Sequence, residues 1–224
     1  VLTATMNYCS TGDLFLKRAM DICISVVGCI FTGILFLFVA PAIYIADPGP
    51  VIFAQERVGL NGKHFKMYKF RSMVQNADAM KAKLLAQNKH SDNFMFKMDF
   101  DPRIIGNKVL PDGTTKTGIG EFIRKTSIDE FPQFFNVLKG DMSIVGTRPP
   151  TLDEVAQYQS WHKQRLAIKP GITGMWQISG RSNIDDFASV VKLDTEYINN
   201  WNIGLDIKIL LKTFTAVLKK DGSM

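Results

Sequence analysis

The most reactive cluster of side chains in this sequence is Thr126-Ser127-Ile128-Asp129-Glu130-Phe131-Pro132, directly after Arg124-Lys125. Adjacent carboxylates cannot straddle a sugar as a glycosidase pair does. They can address one phosphorus atom, one as nucleophile and the other as metal ligand or base. The purely structural reading of the same segment is a helix start, because Ser127 and Glu130 have capping-box spacing. Pro132 favours a start nearer Asp129. In either register the carboxylates lie beside a helix N-terminus, where free N–H groups bind phosphate oxygens.

Two further clusters point to phosphate. Gly140 to Pro150 holds Arg148 between glycine and prolines, a rigid setting suited to bidentate phosphate recognition, although a solvated surface arginine fits the same pattern. Lys169 to Arg181 contains three glycines, Trp176, Gln177 and the two cations at its ends. It reads as a loop whose backbone approaches a nucleotide or phosphate. Neither the P-loop nor the dinucleotide fingerprint occurs in it. Asp99-Phe100-Asp101 is a D-x-D triplet of the kind nucleotide-sugar glycosyltransferases use for a divalent metal, whereas Pro102 argues for a turn. His64, His90 and His162 lie far apart without ligand spacing, so structural zinc is not expected. Cys9, Cys23 and Cys29 cannot form a closed disulfide set, which excludes a secreted disulfide scaffold.

Positioning these groups falls to a chain of 224 residues, 46% hydrophobic, with a net charge of +6. Such a chain builds one core and favours anionic partners. From Ile22 to Ala46 it carries no charged residue. As a helix this run measures roughly 37 Å, against a hydrocarbon core of ~30 Å. It is too long for a signal peptide, despite Lys17-Arg18 before it and Ala40-Pro41-Ala42 within it, and too long for a core helix. Membrane contact is expected. Cations flank both ends, Lys17 and Arg18 before and Arg57, Lys63, Lys66, Lys69 and Arg71 after, which a re-entrant helix broken at Pro41 satisfies on one face. The stretch Ile22–Ala40 nearly crosses a bilayer, so a spanning helix stays open beside the re-entrant one.

Asp47-Pro48-Gly49-Pro50 ends the apolar region. Val51–Val58 and His64–Phe70 then read as a hairpin, and Ala77–Gln87 as a helix. A loop-rich passage leads to apolar periodicity over Glu121–Lys139 and helical patterns over Leu152–Leu166 and Asp185–Ile198. At the end, Ile207, Leu210, Leu211, Phe214, Val217 and Leu218 fall on one helical face beside Lys208, Lys212, Lys219 and Lys220. That helix either docks on the core or lies on an anionic membrane surface.

The motifs form an ordered set. It comprises Lys17-Arg18-x-x-Asp21, the run broken at Ala40-Pro41, Phe53-x-Gln55-x-Arg57-x-Gly59, Phe65 to Met73, Arg124 to Glu130, Asn136 to Ser143, Arg148-Pro149 and Lys169 to Arg181. From about Leu16 to Lys220 the chain closely resembles the bacterial sugar transferase family, the small monotopic phosphoglycosyl transferases. The resemblance implies an α+β fold, mainly helical with a small β-hairpin. Residues 1–50 would carry a re-entrant membrane helix, and 51–224 a catalytic domain with interfacial amphipathic helices. It implies the cytosolic face of the bacterial inner membrane, with the bilayer, a UDP-sugar and undecaprenyl phosphate as partners. Nucleic acid is not expected, and a homo-oligomer stays open.

By this similarity Asp129 attacks the β-phosphate of the UDP-sugar, UMP leaves, and the lipid phosphate takes the phosphosugar from the enzyme. Mg²⁺ would offset diphosphate charge, with Glu130 holding it or assisting proton transfer. Lys69, Arg124, Arg148 and Arg181 would meet phosphates, with Asp194 and Gln177 as further polar positions. Phe94 to Pro102 resembles capsule-type members using UDP-glucose or UDP-galactose. The family frequently has Gly-Pro-Arg-Pro where this chain has Gly146-Thr147-Arg148-Pro149, retaining the arginine. Larger members carry N-terminal transmembrane helices and a regulatory domain, and the start at Val1 is compatible with the catalytic portion of such a protein. Two other classes stay in view: a glycosyltransferase using Asp99 and Asp101 and releasing UDP, and a membrane scaffold without turnover.

Overall fold

A computed structural model of the chain describes residues 10–84, 98, 100–179 and 186–219. Ser10 opens the first element. Its hydroxyl oxygen accepts from the Asp13 N–H at 3.1 Å, an N-cap that satisfies one orphan donor. Helix α1 then runs Thr11–Ala46, 36 residues and about 54 Å long. Ala40 and Pro41 lie inside it, and the expected break does not end the helix there.

The buried positions of α1 are Asp21, Ser25, Gly28, Thr32, Val39, Ala40 and Ile43, a stripe recurring every three or four residues. Only 22% of its most apolar 18-residue window is buried within the protein, which excludes an ordinary core helix. Phe15, Val27, Ile30, Phe31, Leu37 and Phe38 are all exposed.

The stripe is bonded to the body along its length. Lys17 Nζ pairs with Asp206 at 2.6 Å and donates to the Val145 carbonyl at 3.0 Å. Arg18 donates to the carbonyls of Val137 and Leu138. Asp21 Oδ1 accepts from Ser143 Oγ and the Ile144 N–H. Further on, Ile43 packs with Phe70, Ile105 and Ile123. The two cations that the sequence presents as flanking charges are therefore both used internally.

The expected hairpin forms from β1 (Ile52–Val58) and β2 (His64–Phe70), with Asn61 in the left-handed region at φ 53°. Helix α2 spans Ala77–Leu84, and its expected continuation to Gln87 lies outside the described residues. A two-residue ladder, β3 (Lys108–Val109) with β4 (Thr115–Lys116), precedes α3 (Ile119–Lys125).

The periodic stretch Glu121–Lys139 comprises the end of α3, a 3₁₀ turn at Ile128–Glu130, and α4 (Gln133–Lys139), which begins after Pro132. Two expectations from the sequence need correction. Ser127, at φ 55°, makes no side-chain cap, so the capping box read there does not form. Leu152–Leu166 divides into α5 (Leu152–Ala156) and a 3₁₀ segment, His162–Ala167.

The glycine-punctuated segment after Lys169 is structured as well. Strand β6 (Gly171–Thr173) pairs in parallel with β5 (Ser143–Val145), and α6 (Met175–Ile178) follows. A Cβ on Gly171 would lie 2.1 Å from the Gly146 nitrogen, so close backbone approach requires glycine there. Helices α7 (Phe187–Asn199) and α8 (Ile203–Lys219) complete the fold. Helix α8 docks through buried Ile209 and leaves Ile207, Leu211 and Phe214 exposed.

Candidate active site

The Asp129–Glu130 pair sits in the 3₁₀ turn between α3 and α4. The left-handed Ser127 lets the chain reverse: its N–H donates to the Arg124 carbonyl at 3.0 Å. A non-glycine residue in this region stores of order 1–3 kcal/mol of strain, which the surrounding packing must over-determine. That packing comes from α1 and α4, which run antiparallel. Arg18 holds the C-terminal carbonyls of α4, Gly28 faces the Phe134 ring, and Thr32 Oγ1 donates to the Phe131 carbonyl at 3.1 Å. The residue after Glu130 is thereby fixed to the middle of the apolar helix.

Lys69, near the end of β2, forms an ion pair with Glu130 at 2.9 Å, with side-chain exposures of 25% and 23%. A buried asparagine sets this distance. Asn136 Oδ1 accepts from the Tyr68 N–H at 3.0 Å, and its Nδ2 donates to the Lys66 carbonyl at 2.7 Å. An amide with one acceptor and two donors thus continues the edge of β2 as a strand would. It locks α4, and with it the dyad turn, to the strand carrying Lys69.

Arg148 lies beyond β5, and both its terminal nitrogens reach Glu154 at 3.1 to 3.4 Å. Glu154 also accepts from the Thr151 N–H while Thr151 Oγ1 accepts from the Glu154 N–H. A capping box therefore does exist, at Thr151 rather than Ser127. Beneath it, Arg165 Nε pairs with Asp194 at 2.6 Å, its Nη1 donates to the Tyr158 hydroxyl, and its Nη2 reaches the Arg148 carbonyl at 3.5 Å. Burial works against the Arg165 charge, and the Asp194 carboxylate overrides it and holds the guanidinium pKa up.

The expected site residues thus fall at different depths. Asp129, Glu130 and Lys69 are brought together, and Arg148 is presented from a neighbouring loop. Asp194 is 1% exposed, with its carboxylate committed to Arg165, and reaches the Arg148 loop only through that side chain. Arg124 is half-buried on α3 and forms no ion pair among the described residues, though its charge helps hold Asp101 ionised. Gln177 Oε1 is buried without a hydrogen-bond partner among the described residues. Arg181 and Asp99 lie outside them.

Asp101 is committed elsewhere: Arg103 reaches it through its backbone N–H, Nε and Nη2 at 2.6 to 3.2 Å. Burial would raise its pKa, and these bonds with Arg103 hold it below the ordinary value. Such a carboxylate is part of a closed local pair, not an open metal ligand.

Reading the sequence did not single out Arg57, Asn136, Glu154 or Arg165 as positioning groups. The Thr-x-x-Glu pattern at Thr151 was a legible signal for Glu154. Arg57 donates to Gln55 Oε1 and to the Pro149 carbonyl. Burial, followed by the nearby Arg148 charge, lowers its pKa to about 10.

Among the described residues no three His, Cys, Asp or Glu side chains cluster as a metal cage. Glu130 beside Asp129 is nonetheless a donor set that suits Mg²⁺, which is commonly held by one or two carboxylates together with substrate phosphates.

A sequence model of the bacterial sugar transferase family matches residues 12–220. Galactosyl transferase CpsE of Streptococcus agalactiae serotype III is 52% identical over 223 residues, covering 100% of this chain and 46% of that protein. Undecaprenyl-phosphate galactose phosphotransferase of Salmonella typhimurium is 42% identical over 220 residues, 97% of this chain and 43% of the relative. This chain spans about half the length of those relatives. Exopolysaccharide production protein ExoY of Sinorhizobium fredii is 36% identical over 210 residues, 92% of this chain and 87% of that protein.

Proposed function

This chain belongs to the bacterial sugar transferase family, and on that premise we propose that it transfers a hexose 1-phosphate from a UDP-sugar to undecaprenyl phosphate, releasing UMP. The observation that carries this reading is the dyad turn itself: Asp129 beside a Lys69-paired Glu130, fixed by Thr32 to a long apolar helix. A soluble nucleotide and a lipid phosphate have to meet at such a boundary.

In the proposed mechanism an Asp129 carboxylate oxygen attacks the β-phosphorus. The bond from that phosphorus to the bridging oxygen breaks, and UMP leaves with the electron pair. The lipid phosphate oxygen then attacks the aspartyl-linked phosphorus and returns Asp129 as a carboxylate. Lys69 offsets charge at Glu130 and on the phosphoryl oxygens, while Arg148 receives a phosphate bidentately. Mg²⁺, held by Glu130 and substrate phosphate, would supply further charge neutralisation. The hexose in this reading is glucose or galactose. Galactose is favoured by the names of relatives that are 52% and 42% identical. The step would begin a capsule or exopolysaccharide repeat unit.

The membrane arrangement is part of the same proposal. A helix bonded to the catalytic body at Lys17, Asp21, Thr32 and Ile43 leaves no free 20-residue stretch to project across a bilayer. We place α1 re-entrant in the cytosolic leaflet of the inner membrane, and exposed Phe122, Phe135, Leu211 and Phe214 are further apolar groups available to it. Lys208 and Lys212 then meet anionic headgroups.

The test is product analysis of the full chain in nanodiscs with Mg²⁺, undecaprenyl phosphate and a panel of UDP-hexoses. UMP release with labelled sugar phosphate on lipid, lost in Asp129→Asn, is expected. UDP release, or turnover indifferent to Asp129, would overturn the reading.

A further inference from the structure

Arg57 is a cation beside the site that the proposed reaction leaves without a task. Arg57 lies on β1 opposite Phe65, and Lys69 on β2 opposite Phe53, so both side chains, with Gln55 between them, share one face of the hairpin. The Arg57 guanidinium is half-buried. Its Nε and Nη2 donate to Gln55 Oε1 at 3.0 and 2.5 Å, and its Nη1 donates to the Pro149 carbonyl at 3.0 Å. All of these acceptors are neutral, and a guanidinium has five N–H groups. One N–H on each terminal nitrogen therefore has no acceptor among the described residues.

The neighbouring charges deepen the mismatch. Arg148 follows the same loop one residue before Pro149, and both of its terminal nitrogens are on Glu154. Glu130 is engaged by Lys69. Arg148 is paired with Glu154, whereas Arg57, within the field of both Glu154 and Glu130, forms no ion pair among the described residues. Burial first and the Arg148 charge second lower the Arg57 pKa, while the Glu154 and Glu130 carboxylates act against both. Burying two guanidiniums side by side is costly, and a bound anion between them offsets that cost. The loop is also held ready for one: the Val58 N–H donates to the Pro150 carbonyl at 3.0 Å, and Arg57 bridges to Thr151.

We propose that Arg57 is a direct phosphate-binding group, the second guanidinium of a station that it forms with Arg148 on the Lys69 face of the hairpin. Its ligand is a phosphate or diphosphate group, which either the nucleotide donor or the lipid acceptor supplies. The choice between those sources rests on the function proposed above; the station itself does not.

The test uses the full chain in nanodiscs and inorganic pyrophosphate as the probe. Pyrophosphate affinity falls at least about tenfold in Arg57→Gln, as for loss of a charge-assisted bond. It falls a further fivefold or more on adding Arg57→Gln to Arg148→Gln. A double variant that binds as Arg148→Gln alone would mean that Arg57 only braces Pro149, and would overturn the proposal. A second measurement needs no variant: pyrophosphate slows phenylglyoxal modification of Arg57 and Arg148, read by peptide mass spectrometry, but not of Arg103. An unchanged Arg57 rate would overturn the proposal too. Protection by UMP assigns the nucleotide as source, and protection by a short isoprenyl phosphate alone assigns the lipid. Protection by pyrophosphate but by neither of these upholds the station and removes the transferase reading instead.

Discussion

Lys69 is the residue whose removal separates chemistry from architecture. It stands on a strand held by seven ladder positions and by Asn136, so replacing its side chain leaves the backbone in place. Lys69→Gln keeps a polar side chain, one atom shorter, and loses the charge opposite Glu130. We expect kcat to fall by about 10²-fold, as for loss of one preorganised electrostatic group, with the melting temperature near that of the parent. Steady-state kinetics beside a thermal melt checks this. An equal loss in Lys69→Arg would mean that shape, not charge, is what the site needs there.

At this scale the sequence was informative where chemistry is written in neighbours. Asp129 and Glu130 are adjacent, and Arg148 stands between glycine and prolines, so their roles could be argued without coordinates. The place of Asp194 could not. Whether a carboxylate faces a substrate or a buried guanidinium depends on Arg165, 29 positions earlier in the chain. Asp101 shows the converse: the triplet suggested a metal, and Arg103, two residues on, takes the carboxylate.

Among elements, the α1–α4 contact carries the most weight because it fixes the dyad turn to the apolar helix. Gly28 is where they meet, and a Cβ there would lie 2.4 Å from the root of the Phe134 ring. Ring atoms next to the backbone cannot swing aside. Gly28→Ala should therefore destabilise the fold by about 1–3 kcal/mol, the range for overpacking. Gly33, on the same helix, has nothing within 4 Å of its added Cβ. Gly33→Ala should be neutral or stabilising by up to about 1 kcal/mol, since alanine favours helix. Denaturant melts of both variants in detergent check the contrast, and equal effects would refute the contact.

The hairpin was legible as an element because alternation, turn residues and strand length agree, and its observed start differs by one residue from the expected one. The capping box read at Ser127 failed because spacing says nothing of Ser127 adopting a left-handed backbone. The glycines after Lys169 were read as making room for phosphate. Those at Gly171 and Gly174 instead make room for the backbone of Gly146. Glycine signals close approach, and only tertiary structure says of what.

For the whole molecule, the question is how a helix about 54 Å long relates to a bilayer while bonded to the catalytic body from Lys17 to Ile43. A re-entrant path, which requires the helix to bend at Pro41, puts both of its ends on one side. Single cysteines at Thr11→Cys and Pro50→Cys, in a chain cleared of Cys9, Cys23 and Cys29, should both react with an impermeant maleimide added to inverted inner-membrane vesicles. Labelling of one only after detergent would establish a spanning helix. The long apolar helix was legible in the 25 uncharged residues from Ile22 to Ala46. The docking of Lys17 and Arg18 onto α8 and α4 was not, because their partners lie more than a hundred residues away.

In the proposed mechanism Asp129 carries the sugar phosphate. The most direct test of this step omits the lipid. The full chain in nanodiscs is mixed with the donor UDP-hexose and Mg²⁺, quenched, and examined by intact-mass and peptide mass spectrometry. The account predicts one hexose phosphate per chain, located on the peptide containing Asp129, and its discharge when undecaprenyl phosphate is added. Absence of the adduct while lipid-linked sugar phosphate still accumulates, or an adduct on another residue, would contradict it.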